Sequence, residues 1–209
     1  KGYQVRLIDP VPLHIEQAKT ANAKESEYPL TDITLGDSRS IDMVDQSVDV
    51  VLFFGPLYHL TEQSERLASL REAYRVLTPG GIIFGAGISR YASFLDGISG
   101  DLMDDADFVA IVREDLKSGQ HRNPTDNPNY FTTSFFHTPE ELKNEFLMAS
   151  FKQIQLIAIE GPAGYFKNFD ELWGNKKRRN LYLSFIREIE TGEAMLGSSC
   201  HIMAIGKKQ

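Results

Sequence analysis

Between Val48 and Gly87 the chain spells out strand, helix and strand, and that unit limits the fold more than any other feature. VDVVLFF (Val48–Phe54) is read as an apolar run without polar alternation, the pattern of a strand buried on both faces. In Glu62–Leu77, Leu67, Leu70, Ala73, Tyr74 and Leu77 recur at spacings of three and four, which predicts one amphipathic helix. It is expected to stop at Thr78-Pro79-Gly80-Gly81, since proline cannot continue a helix and glycine accepts positive φ. The chain then enters the strand Ile82–Gly87. Upstream, strand Val5–Ile8, helix His14–Ala23 and short strand Ile33–Leu35 repeat the alternation. The order predicts an α/β fold with a mainly parallel sheet.

The second half reads differently. Helical stretches around Phe94–Met103 and Ala106–Leu116 are followed by the polar turn region HRNPTDNPN and the aromatic run YFTTSFF. This is long for a crossover, so residues 91–136 read as a helical cap inserted over the carboxyl edge of the sheet. Thr138-Pro139-Glu140-Glu141 is a helix start with a capping box. A strand at Ile154–Ile159, a helix over about Asp170–Glu190 and a last, antiparallel strand at His201–Ile205 complete one domain, 1–209, with 1–90 and 137–209 as core.

Composition narrows the partners. A net charge of -7 and a pI near 5.3 give no general attraction to phosphate backbones, so nucleic acid is not the expected partner. The basic run Lys176–Arg179 reads as a solvated helix face. No apolar stretch reaches membrane-spanning length and the N-terminus lacks a signal pattern, so a cytoplasmic protein is expected, with no membrane partner. The single cysteine, Cys200, excludes an intrachain disulfide and reads as a small packing residue. His14, His121 and His201 lack metal-ligand spacing, and no metal is assigned.

In an open parallel sheet, ligands bind beyond the carboxyl ends of the strands. There stand Asp9-Pro10, Gly36-Asp37-Ser38 and Gly55-Pro56-Leu57-Tyr58-His59, with RVLTPGG ahead of the fourth strand. Taken singly, Asp-Pro and Gly-Asp are turns and Pro-Gly-Gly a helix stop. In this order and spacing, from Gly2 to about Ser89, they resemble the small-molecule branch of the class I, Rossmann-like S-adenosylmethionine-dependent methyltransferases. That resemblance implies a three-layer fold and S-adenosyl-L-methionine as cofactor. It implies that Asp9, beside Pro10, accepts from the ribose hydroxyls, and that Asp37 accepts from the adenine amine while a backbone N–H of Ser38 or Arg39 faces the ring. It places Phe54 and Gly55 along the methionine part, and Leu57 and Tyr58 between cofactor and acceptor. In that family a first strand and a G-x-G-x-G loop precede a segment like GYQVRLID. The expectation is therefore a longer parent chain, with residues 1–209 alone binding cofactor poorly.

Displacement from a sulfonium mainly requires alignment in a dry pocket, and a base only when the acceptor is a hydroxyl. His59 and then His137, expected at the mouth between cap and sheet, are the candidates. Tyr130 and Phe131, with Phe135 and Phe136, are candidates for an apolar acceptor pocket or for core under the cap. The acceptor atom (O, N, S or C) and the oligomeric state stay open. Two alternatives remain: a non-catalytic relative of the same fold that binds a ligand or partner, and a nucleotide-dependent oxidoreductase. The second finds only Gly85-Ala-Gly87, with Arg90 where a third glycine belongs.

Overall fold

The computed structural model describes residues 2–125, 127–162 and 169–209, so one residue of the HRNPTDNPN turn region, at 126, lies outside the described residues. Strand β1 (Arg6–Asp9), helix α1 (Pro12–Asn22) and strand β2 (Asp32–Leu35) form a parallel pair in which Asp9 stands opposite Leu35. Strand β3 (Val48–Phe54), helices α2 (Pro56–His59) and α3 (Gln63–Val76) and strand β4 (Leu77–Ser89) follow, with β3 parallel to β4 and Phe54 opposite Ala86. The expected turn at Thr78–Gly81 is already strand. The Gly80 N–H donates to the Lys208 carbonyl and the Lys208 N–H to that of Gly81, so the C-terminus pulls this stretch into the sheet. Gly81 is needed for close approach: a Cβ there would lie 2.9 Å from the Thr78 carbonyl oxygen.

Beyond β4 come α4 (Ala92–Ser99), α5 (Ala106–Ser118), β5 (Gln120–His121), β6 (Ser134–His137), α6 (Pro139–Met148), β7 (Lys152–Ala158), α7 (Phe169–Gly174), α8 (Lys176–Ile189), α9 (Glu193–Leu196) and β8 (His201–Lys207). The larger sheet runs β5-β6-β4-β8-β7, with β3 also on β4. β4 pairs parallel with β6 and antiparallel with β8, and β7 is antiparallel to β8, as an α/β fold with an antiparallel last strand requires. The capping box forms as expected, Thr138 accepting from the Glu141 N–H while Glu141 accepts from the Thr138 N–H. The helix expected over 170–190 is two, because the Asn175 side chain accepts from the Arg178 N–H and starts α8 afresh.

One sheet face carries the main core. Leu57, Leu70, Leu77, Ile83, Leu142, Phe146, Phe151 and Ile202 are fully buried there. A Cβ at Gly85 would lie 2.7 Å from the Phe146 ring, so the glycine is what lets α6 pack this close. On the opposite face Val50, Leu52 and Phe54 are 48%, 64% and 52% exposed. Residues 91–136 hold a second cluster of Phe108, Ile111, Val112 and Tyr130. No residue of α8 is buried, in keeping with Lys176–Arg179 as a solvated face. Among the described residues no helix is long and apolar enough to cross a membrane.

Candidate functional site

The parallel register of β1 and β2 brings two of the strand-end acids together, the Gly36 N–H donating to the Asp9 carbonyl at 3.1 Å. Asp9 Oδ1 accepts from the Val11 N–H at 2.8 Å and lies 3.1 Å from His14 Nδ1. Both contacts fall on Oδ1, which fixes the carboxylate while Oδ2 makes no hydrogen bond among the described residues. A fixed carboxylate with one open oxygen is suited to accept from ligand hydroxyls. Pro10 turns the chain into α1 just behind it. Asp37 is held by its neighbour: Arg39 Nε lies 3.0 and 3.1 Å from its two oxygens, and the Arg39 N–H donates to Oδ1 at 2.8 Å. Those bonds keep the Asp37 carboxyl below the ordinary range. Arg39 also pairs with Glu65, and Ser38 Oγ bonds Ser69 Oγ of α3 at 2.8 Å, so the Asp37 loop is tied to α3 from two points.

The third strand ends at Gly55, whose φ of 133° only glycine adopts readily. A Cβ there would meet nothing within 4 Å, so open space lies beside this backbone. The turn throws Pro56–His59 into α2. Tyr58 packs with Ile88, Ala92 and Phe136, and its ring is 4.8 Å from that of His59. His59 is exposed. Burial of part of its ring pushes its pKa down, and the charge of Asp9 opposes that, which places His59 on the Asp9 side of the site.

Three sequence expectations change in place. Leu57, expected between cofactor and acceptor, is fully buried and faces Gly85 and the core, because the first turn of α2 points it inward. His137 is not at the mouth. It is 0% exposed, and its Nε2 donates to Glu145 Oε2 at 3.2 Å under α6, where burial keeps the ring neutral. Tyr130 is part of the 91–136 cluster, its ring tilted at 45° against that of Phe108, with its hydroxyl donating to Asp105 Oδ2 at 2.5 Å. Phe131 stays exposed, 6.1 Å from the His121 ring.

Sequence reasoning passed over His14 and His201. Each pairs with an acid across a gap that no short motif displays, five residues for Asp9–His14 and 41 for Glu160–His201. His201 Nδ1 lies 2.5 Å from Glu160 Oε1, while Glu160 Oε2 accepts from Ser199 Oγ at 2.8 Å and from the His201 N–H at 2.9 Å. Burial works against the Glu160 charge, but the bonds from His201 and Ser199 outweigh it and hold its carboxyl at about 2. The same bond raises His201 above its ordinary 6.5, against partial desolvation. Glu160 therefore adds stability above pH 4.5 that is lost as the pH falls toward 2. His201 adds stability below pH 6.5 that is lost as the pH rises through its raised value. Thermal unfolding of wild type minus His201→Asn is expected to show the largest difference between those bounds, shrinking on both sides. A difference that is flat with pH would show that the pair contributes nothing.

Beside it, burial raises the Cys200 thiol, the opposite of what an activated nucleophile needs. Among the described residues no group of three or more His, Cys, Asp or Glu side chains is placed to hold a metal ion.

A parallel β1-β2 pair with acids beyond both strands, beside a mixed sheet with a glycine turn beyond β3 and an antiparallel last strand, fits a Rossmann-like methyltransferase fold, and the comparisons with known proteins agree. Residues 1–85 match the methyltransferase domain family. A probable S-adenosylmethionine-dependent methyltransferase of Mycolicibacterium smegmatis is 34% identical over 87 residues, 39% of this chain and 32% of the relative, so the match spans about a third of that protein's length. A methyltransferase structure from Methanosarcina mazei superposes with a TM-score of 0.61 at 17% identity, covering 99% of this chain and 82% of its own. A possible histamine N-methyltransferase from Thermotoga maritima gives 0.57 at 18% identity, covering 97% and 72%. Residues 1–85 thus resemble the methyltransferase domain family, and nearly the whole chain has the fold of S-adenosylmethionine-dependent methyltransferase structures.

Proposed function

We propose that this protein transfers a methyl group from S-adenosylmethionine to a small-molecule acceptor. The observation that carries the reading is the Asp9 carboxylate at the end of β1, fixed through one oxygen and open at the other, together with the clear space beside the Gly55 turn at the end of β3. Asp9, with Pro10 setting the turn, takes the ribose hydroxyls. Asp37, Ser38 and Arg39 face the adenine, and Phe54 and Gly55 line the methionine part. Tyr58 borders the acceptor, with residues 91–136 as a cap that selects it within one domain. When bound, the cofactor supplies an activated methyl group. The chain's own residues then hold the acceptor in line and exclude water, which is most of what a direct displacement needs. The acidic surface favours a small acceptor over a polyanion, and the cytoplasm is the proposed compartment.

The test is calorimetric titration of S-adenosylmethionine and, separately, NADH into the protein as its source organism makes it. Binding of the sulfonium and not of the dinucleotide is expected. Asp9→Ala and Asp37→Ala are each expected to weaken it by about 1.5–3 kcal/mol, roughly ten- to hundredfold, the loss of a hydrogen bond to a charged acceptor. Binding unchanged in both variants would make these acids turn residues and remove the cofactor site.

A further inference from the structure

We propose that His201, oriented by Glu160, is the base that takes the proton from a hydroxyl acceptor, an assignment that rests on the methyltransferase reading above. Directly paired residues in a sheet share a face. Phe54 pairs with Ala86, Ala86 with Met203, and Ile88 with His201, so all five side chains share one face at the carboxyl end of β4. That is the face on which Phe54 stands exposed. Two strand spacings across and two residues along place the Cα atoms of Phe54 and His201 about 12 Å apart. Ala86 and Met203 lie between them on that face. Tyr58 closes the near side, since it and Cys200 pack on the same Ile88, Ala92 and Phe136 group. The Ser89 N–H, donating to the Cys200 carbonyl at 2.8 Å, locks the start of β8 to the end of β4.

The dyad has the geometry of a proton acceptor. Glu160 Oε1 takes the Nδ1 proton, which fixes the tautomer and leaves the Nε2 lone pair on a side chain still 44% exposed. Ser199 and the His201 N–H hold the other carboxylate oxygen, so Glu160 does not rotate away. Among the described residues His59 has no such orienting carboxylate bond and lies within the field of Asp9, and His137 is sealed under α6. The acceptor is a hydroxyl on an apolar body, because the exposed Phe54 and the part-exposed Met203 supply the open surface of that face, over a buried Ala86 and Ile88. In the step, the acceptor O–H proton passes to Nε2 and an oxygen electron pair forms the bond to the methyl carbon. The carbon–sulfur bond breaks with its pair kept on sulfur. The positive charge moves from sulfonium to imidazolium and the balance closes.

The probe is 4-nitrophenol, whose ionisation is read by absorbance, with 4-nitroanisole as the control that has no proton to give. At about pH 6 the bound phenol is expected to be about tenfold more ionised than the free one. His201→Asn should abolish that difference and Glu160→Gln should remove most of it, while 4-nitroanisole binds all three proteins alike. Equal ionisation on wild type and both variants, or no binding of 4-nitrophenol to folded wild type, overturns the proposal. If His201→Asn does not fold, Glu160→Gln decides. S-adenosylhomocysteine titrated into the same wild-type sample separates the two readings. A His201-dependent ionisation without nucleoside binding keeps the base and rejects the transferase; nucleoside binding with ionisation indifferent to His201 does the reverse.

Discussion

Arg66→Met is expected to lower the unfolding free energy by about 3–5 kcal/mol, a fall of roughly 6–20 °C in Tm for a chain of this size. Arg66 and Glu145 are 2% and 1% exposed, and the guanidinium donates to Glu145 Oε1 through Nε at 3.0 Å and NH2 at 2.8 Å. Its NH1 donates to the carbonyls of Leu60 and Thr61, and its plane lies 3.7 Å over the Phe135 ring. Desolvation acts to raise the Glu145 carboxyl, but the bonds from His137 and Arg66 outweigh it and keep it ionised. Without the arginine that charge is left buried beside a neutral His137. The cost should shrink as pH falls, because the folded variant then binds the proton more tightly than the unfolded chain does. Urea unfolding at two pH values measures this. The double change Arg66→Met, Glu145→Met is expected to recover most of the loss, since a buried pair replaced by apolar groups is often neutral or stabilising. A single variant as stable as wild type would mean the network is not what holds the 60–61 loop behind His59.

That network also shows where sequence reading stops. The strand–helix–strand unit, the capping box and the strand-end acids were legible because each depends on residues within a turn or two of one another: apolar spacing in α3, Thr138 with Glu141, Asp9 after β1. Arg66 and Glu145 are 79 residues apart, and Glu160 and His201 are 41. Nothing local announces a partner at that distance. The expected turn at Thr78–Gly81 became strand for the same reason, since Lys208 supplies its hydrogen bonds from the far end of the chain. Leu57 is assigned to the site by its position in a motif, and His137 by its expected place between cap and sheet. Their burial was decided by which way a four-residue helix and a parallel strand turn their side chains, and that depends on register. His59 is exposed and clear space lies beside Gly55, and both bear on the proposed site.

Asp115→Ala is expected to cost about 3–5 kcal/mol as well, and to do so in the 91–136 segment rather than in the sheet. Asp115 is fully buried on α5. Its Oδ2 accepts from Ser93 Oγ of α4 at 2.5 Å and from His121 Nδ1 of β5 at 2.8 Å, and His121 Nε2 donates onward to the Phe131 carbonyl at 3.1 Å. One carboxylate thus joins both helices of the segment to the hairpin that carries Phe131, while the His121 ring stacks on Phe136 at 4.7 Å. Removing it strands a buried hydroxyl and a buried ring nitrogen in a place with little apolar surplus, because the segment's own cluster is small. Hydrogen exchange is the measurement: amides of α4 and α5 should lose protection first, while β4 and β8 keep theirs until global unfolding. If protection falls equally in the sheet, the segment is not a separately stabilised cap but part of the main cooperative unit. In that case residues 91–136 can rearrange around an acceptor only at the expense of the sheet that positions Phe54 and His201.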